Sequence, residues 1–249
     1  MRIENSFIPI RGVGETTERR LWEAGITHWE EFDGSVVGPT TADRIHEFVD
    51  LATDHLSRGN ARFFDDSFPS GERWRLYENF RDDALCFDIE TTGLDADRND
   101  VTTVSFYRDG AVDTLIRGDD LTAGALREQF ADAPLIVTFN GARFDVPFLE
   151  ESFDVEITAP HLDLMYPCRR LDLTGGLKPI EQEIDIDRDR PDLSGKDAVR
   201  LWREYERGDE AALETLVSYN REDTENLARL ADHVTARLHE AVCPSNATF

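Results

Sequence analysis

The chain has 249 residues, enough to bury a sizeable core, and one domain of about 150 residues with a smaller one beside it is the natural expectation. Hydrophobic residues make up 40% of it, with 15 Phe and 4 Trp, which excludes a disordered chain. Against 52 Asp and Glu stand 27 Lys and Arg, a formal charge of −25, and this excludes binding that rests on a general basic surface.

From the N-terminus, "MRIENSFIPIRGVG" lacks the apolar stretch of a signal peptide, and no apolar run approaches the ~20 residues that a membrane helix needs. A soluble, cytoplasmic protein without a membrane partner is expected. Residues 1–57 predict short helices. A Gly-x-Gly turn (Gly12, Gly14) precedes a helix with Leu21 and Trp22 on its apolar side, and Gly38-Pro39 precedes a second with Ile45, Phe48, Val49 and Ala52. The plan is similar to helix-hairpin-helix modules, which hold phosphates through backbone N–H groups. Two readings stay open for this part: a nucleic-acid grip at Gly12 and Gly14, aided by Arg11, Arg19 and Arg20, or a helical cap with a packing role. Residues 58–83 are polar, dotted with aromatics and broken by Pro and Gly, and predict a connector.

The pattern changes at Ala84, where strands are predicted at 84–90, 101–107 and 111–117, the last two joined by a turn at Arg108-Asp109-Gly110. In "LCFDIET" side chains alternate, so Phe87 and Ile89 share one face while Asp88 and Glu90 share the other, their Cα atoms about 6 to 7 Å apart. Carboxylates taken out of water need a counter-charge or a metal. The alternative for this strand alone is an acidic outer face.

A helix near 122–131 and the β-rich run "PLIVTFN" lead to Asp145, which the residues allow as a site acid at a strand end or as a helix N-cap before Pro147. A short strand follows at 161–165, and helices are predicted near 176–184, 196–207 and 209–239. In the last, the apolar stripe of Leu213, Leu216, Val217, Leu227, Leu230, Ala231 and Val234 passes through Asn220 and Asp223, with Tyr219 four residues before Asp223. An acid in such a stripe is costly unless compensated; a solvated face is the other reading. Residues 241–249 are expected as a tail, and 84–240 as an α/β domain with a mixed sheet.

Asp88, Glu90, Asp145 and Asp223, with no His or Cys cluster beside them, form a hard oxygen donor set that suits Mg²⁺ or Mn²⁺. Acid-rich sites of this kind commonly hold two ions and serve phosphoryl hydrolysis. Cys86, Cys168 and Cys243 are odd in number and widely spaced, which suggests neither a disulfide framework nor a zinc site.

"FDIETTGL" (87–94), "TFNGARFDVPFL" (138–149) and "YNRED" (219–223) together resemble the three motifs of the DnaQ-like, DEDD exonuclease superfamily, in the subclass whose third motif is Tyr-x-x-x-Asp. "HLDL" (161–164) and "GGLKPIEQEIDIDR" (175–188) are similar to its YprB-like branch. The resemblance covers roughly 84–240 and implies a ribonuclease-H-like mixed sheet flanked by helices. It also implies a metal-dependent 3′-to-5′ exonuclease acting on the 3′ ends of nucleic acid, DNA favoured over RNA. Carried over by motif, Asp88, Glu90, Asp145 and Asp223 are the ligands of two Mg²⁺ or Mn²⁺ ions, and Tyr219 positions the attacking water. Asn140 is a substrate contact or a turn residue, and His161 and Asp163 are structural or support the ligands. An accessory nucleic-acid-binding protein of the same fold is the alternative. The acid excess with only two lysines, Lys178 and Lys196, resembles proteins of salt-accumulating halophiles, in which screening at high salt removes long-range repulsion.

Overall fold

A computed structural model of the chain describes residues 1–243. Two compact units emerge among them: Met1–Arg81 together with residues 233–243, and Asp82–Asp232.

The first unit contains α1 (Glu15–Glu23), α2 (Pro39–Ser57), α3 (Ala61–Ser67) and α4 (Tyr77–Phe80), with a 3₁₀ segment at Ser70–Leu76. Helix α1 begins after Gly14 in extended backbone, with Glu15 and Glu18 in its first turn, and α2 begins with Pro39, whose missing N–H costs nothing at that position. Residues 58–83, expected as a connector, are largely helical. Phe64, Phe68, Trp74, Tyr77 and Phe80 are buried, so the polar residues between them conceal short amphipathic turns. The same segment supplies Arg75, fully buried, whose guanidinium lies 2.9 Å from Glu18. Glu18 also accepts from the Ser6 hydroxyl and from the N–H groups of Phe7 and Ile8, so the charge pair is satisfied on both sides. Indole N–H groups of Trp22 and Trp29 donate to the carbonyls of Asn5 and Ser6.

The second unit is built on a five-stranded sheet in the order β3-β2-β1-β4-β5: β1 (Leu85–Thr91), β2 (Val101–Arg108), β3 (Ala111–Ile116), β4 (Ile136–Thr138) and β5 (His161–Asp163). β1 is antiparallel to β2 and parallel to β4; β2–β3 is antiparallel and β4–β5 parallel. Asp109 and Gly110, at φ 48° and 76°, make the tight β2–β3 turn. Phe87 and Ile89 enter a core with Val104, Phe106, Phe148 and Leu149, which leaves Asp88 and Glu90 on the opposite face. The helices are α5 (Ala123–Ala131), α6 (Asp145–Phe153), α7 (Met165–Arg170), α8 (Leu177–Glu183), α9 (Gly195–Tyr205) and α10 (Glu210–Val242). Leu201 and Trp202 of α9 pack with Ala212, Leu216 and Tyr219 of α10, a second cluster that fixes the face α10 turns inward. The strand expected at 161–165 ends at Asp163, and α7 starts at Met165 with Pro167 tolerated in its first turn. Of the expected tail, 244–249 lies outside the described residues, while Ala241 and Val242 still belong to α10.

Candidate metal centre

Strand β1 lies in the middle of the sheet and α10 supplies the second wall. Carboxylate oxygens of Asp88, Glu90 and Asp223 lie within 4.8 Å of one another. The β1–β2 register slips by one residue between Glu90 and Thr91, a bulge at the point where the acids end. Glu90 and Asp223 are buried, as is Tyr219, whose hydroxyl hydrogen-bonds to Asp223.

Asp145 is the first residue of α6, and the N-cap is Phe144 without a side-chain bond, so the capping reading does not hold. Instead its Oδ1 accepts from the Ile89 N–H at 3.3 Å. That N–H is free because β4 pairs with β1 only at Leu85 and Cys86. A hydrogen bond at Ile89, between the two acids of β1, thus ties the acid of the second motif to the strand.

Asn140 sits at φ 64°, left-handed, with its N–H on Asp163 Oδ1 at 2.7 Å. His161 Nε2 meets the Thr138 hydroxyl at 2.8 Å. Gly12 (φ 96°) and Gly14 belong to the other unit, the latter as the N-cap of α1.

Three residues escape the sequence reading. Asn220, fully buried, donates from Nδ2 to Asp88 Oδ2 at 2.8 Å, while its Oδ1 accepts from the Thr103 hydroxyl at 3.0 Å. Its place in an apolar stripe was the available signal, but its partner is 132 positions away. Arg188, in the α8–α9 loop, ion-pairs with Glu181 and Asp223 and lies 3.8 Å from Glu222. Lys178 Nζ stands 4.5 Å from the centroid of the Tyr219 ring. No periodicity marks those two cations; only the site's shortage of positive charge calls for them.

Burial raises the pKa of Asp88 well above the carboxyl range, and the charges of Asp145, Asp223 and Glu90 add to it. Glu90 moves the same way through burial, then Asp223 and Asp145. Burial pushes Asp145 up to about 7, with the Ile89 N–H opposing. Asp223 is raised by burial and held back chiefly by Arg188. The Tyr219 hydroxyl, raised by burial and by Asp223, stays a phenol. Three buried acids and the half-buried Asp88 outnumber the adjacent cations, and a bound divalent ion would relieve that imbalance. Oxygen donors alone, closely spaced, fit Mg²⁺ or Mn²⁺.

A family model for the RNase_H superfamily matches residues 85–235. Among solved structures, the family B DNA polymerase of the hyperthermophilic archaeon Pyrobaculum calidifontis aligns at 19% identity and a TM-score of 0.51, covering 61% of this chain; the chain spans about a quarter, 24%, of that polymerase. Brucella melitensis NrnC with bound Mg²⁺ aligns at 22% identity and a TM-score of 0.47, covering 66% of this chain and 78% of that one. A nuclease in its apo form aligns at 25% and 0.47, covering 64% and 74%. No curated protein matches the chain. The matched stretch opens on the first residue of β1, closes inside α10 and takes in every strand and all four acids, more than half of the sequence, and by that match the chain belongs to the RNase_H superfamily.

Proposed function

We propose that the chain is a metal-dependent 3′-to-5′ exonuclease of the DnaQ-like, Tyr-type class, hydrolysing phosphodiester bonds at the 3′ ends of nucleic acid, DNA before RNA, in the cytoplasm. The observation that carries this reading is the convergence of Asp88, Glu90 and Asp223 oxygens within 4.8 Å on strand- and helix-borne side chains, the first half-buried and the other two buried. Asp88, Glu90, Asp223 and Asp145 would hold two Mg²⁺ or Mn²⁺ ions. Bound there, the ions supply Lewis acidity to the attacking water and the leaving oxygen.

The chain's own groups do the rest. Asn220 occupies one oxygen of Asp88 and so fixes the plane of that carboxylate. Tyr219 donates its proton to Asp223, which leaves the phenol oxygen free to accept a hydrogen bond from a water and orient it. Attack on phosphorus breaks the bond to the 3′ oxygen of the preceding nucleotide, which takes up a proton. Gly12 and Gly14 serve nucleic-acid binding, supported by the left-handed turn at Gly12 and by the start of α1 without a side-chain cap. Asn140, in the same motif as Asp145, contacts substrate.

End-labelled single- and double-stranded DNA and RNA, given to the wild type and to Asp88→Ala with Mn²⁺ in high salt, test the reading. The wild type is expected to shorten at least one substrate from its 3′ end, and the variant to lose that by about a hundredfold or more. Intact substrates throughout would defeat it, and binding without cleavage would identify a non-catalytic accessory protein.

A further inference from the structure

Asp163 ends β5, opposite Thr138 in the parallel β4–β5 ladder, and is 6% exposed. Its two oxygens take three backbone N–H groups. Oδ1 accepts from Asn140 at 2.7 Å and Met165 at 3.1 Å, and Oδ2 accepts from Ala142 at 3.2 Å. Burying a carboxylate is costly, and three N–H donors are what offset it.

Two of those donors lie in the loop between β4 and α6. The same loop is held from its other side by Thr138, whose hydroxyl accepts from the Gly141 N–H at 3.2 Å. Space there is so short that a Cβ on Gly141 would stand 2.3 Å from Thr138 Oγ1. The loop continues into α6 through a bond from the Val146 N–H to the Gly141 carbonyl at 2.9 Å. One residue earlier is Asp145, with its Oδ1 on Ile89 between Asp88 and Glu90. A rigid path therefore runs from Asp163 through the loop to the third acid.

We propose that Asp163 is a positioning residue: it touches neither cation nor substrate, and acts by clamping the 139–144 loop so that the Asp145 carboxylate is aimed at the metal centre. The inference rests on Asp145 being a cation ligand. A neutral amide cannot replace the acid, because an Asn at 163 would present either its NH₂ or a lone oxygen to donors on both sides, and one N–H would face another.

The full chain and its Asp145→Asn, Asp163→Asn and Thr138→Val variants are compared by thermal midpoint in EDTA, by calorimetric titration with Mn²⁺ alone, and by kcat and KM on a short labelled oligonucleotide. Asp163→Asn is expected to bind Mn²⁺ about tenfold more weakly or worse. Its kcat should fall with little change in KM, and excess Mn²⁺ should restore part of that kcat. The same excess should not rescue Asp145→Asn. A purely structural role would lower the midpoint and leave Mn²⁺ affinity per folded molecule at the wild-type value, which would overturn the proposal. If Asp145→Asn itself binds and turns over like the wild type, the underlying reading of Asp145 fails instead. Should Asp163→Asn not fold, Thr138→Val slackens the same loop while keeping the acid. Wild-type Mn²⁺ affinity and kcat in that variant would equally overturn the clamp.

Discussion

Glu90 lies at the point where the site's charge is hardest to accommodate, buried beside Asp223 and Asp145 and opposed mainly by Lys178. Its folded-state pKa stands above the value in the unfolded chain, and so do those of Asp88, Asp145 and Asp223. Between the unfolded and folded values the unfolded chain has released protons that the native state still holds, so stability falls as pH rises through that window. For Asp145 the window runs from 3.8 to about 7. In EDTA, the thermal midpoint of the wild type is expected to drop more steeply over that range than that of Glu90→Gln, and Mn²⁺ at pH 7 should raise the wild type most. Parallel pH profiles for the two proteins would dispose of the idea. The alternation of "FDIET" was enough to put Asp88 and Glu90 on one face. The residues that orient Asp88 and Asp223 were not legible, since the hydrogen bond from Asn220 to the one and the ion pair from Arg188 to the other join positions that only the folded chain brings together.

At the scale of elements, β4 is three residues long, and its exit is held by close packing as well as by the ladder bond from the Leu164 N–H to the Thr138 carbonyl. Gly141 is the measure of that. Adding a methyl group there drives it into the Thr138 side chain, and overpacking of this kind costs about 1–3 kcal/mol. Gly195, the first residue of α9, has open space around it. Urea unfolding should find Gly141→Ala clearly destabilised and Gly195→Ala neutral or slightly stabilised; equal midpoints would refute the close approach. Long periodic elements, α9 and α10 and the hairpin strands, were readable because burial repeats along them. The six-residue α7 was not, because a Pro inside "MYPCRR" reads as a breaker unless its first-turn position is known.

For the whole molecule, a net charge of −25 makes any anionic partner depend on local geometry. Gly14 gives a test that leaves the fold intact, since its backbone is in the extended region and a Cβ there meets nothing within 4 Å. Gly14→Asp supplies an N-cap, so the midpoint should hold or rise slightly. The added negative charge should weaken nucleic-acid binding by about threefold to tenfold, with a very short substrate cleaved as before. Unchanged binding would show that the first unit only packs. The division of the chain was the least legible feature: a reading that runs along the sequence has no means of giving the last turns of α10, from His233, to a unit begun at Met1.

Trp22, Trp29 and Trp74 belong to that first unit, and Trp202 is alone in the second, packed against Tyr205. All four are buried. The emission of a Trp202→Phe variant would come from the first unit only, and its difference from the wild type would isolate the second. Each unit therefore carries an intrinsic fluorophore by which its melting, or its response to added Mn²⁺, can be followed without a label.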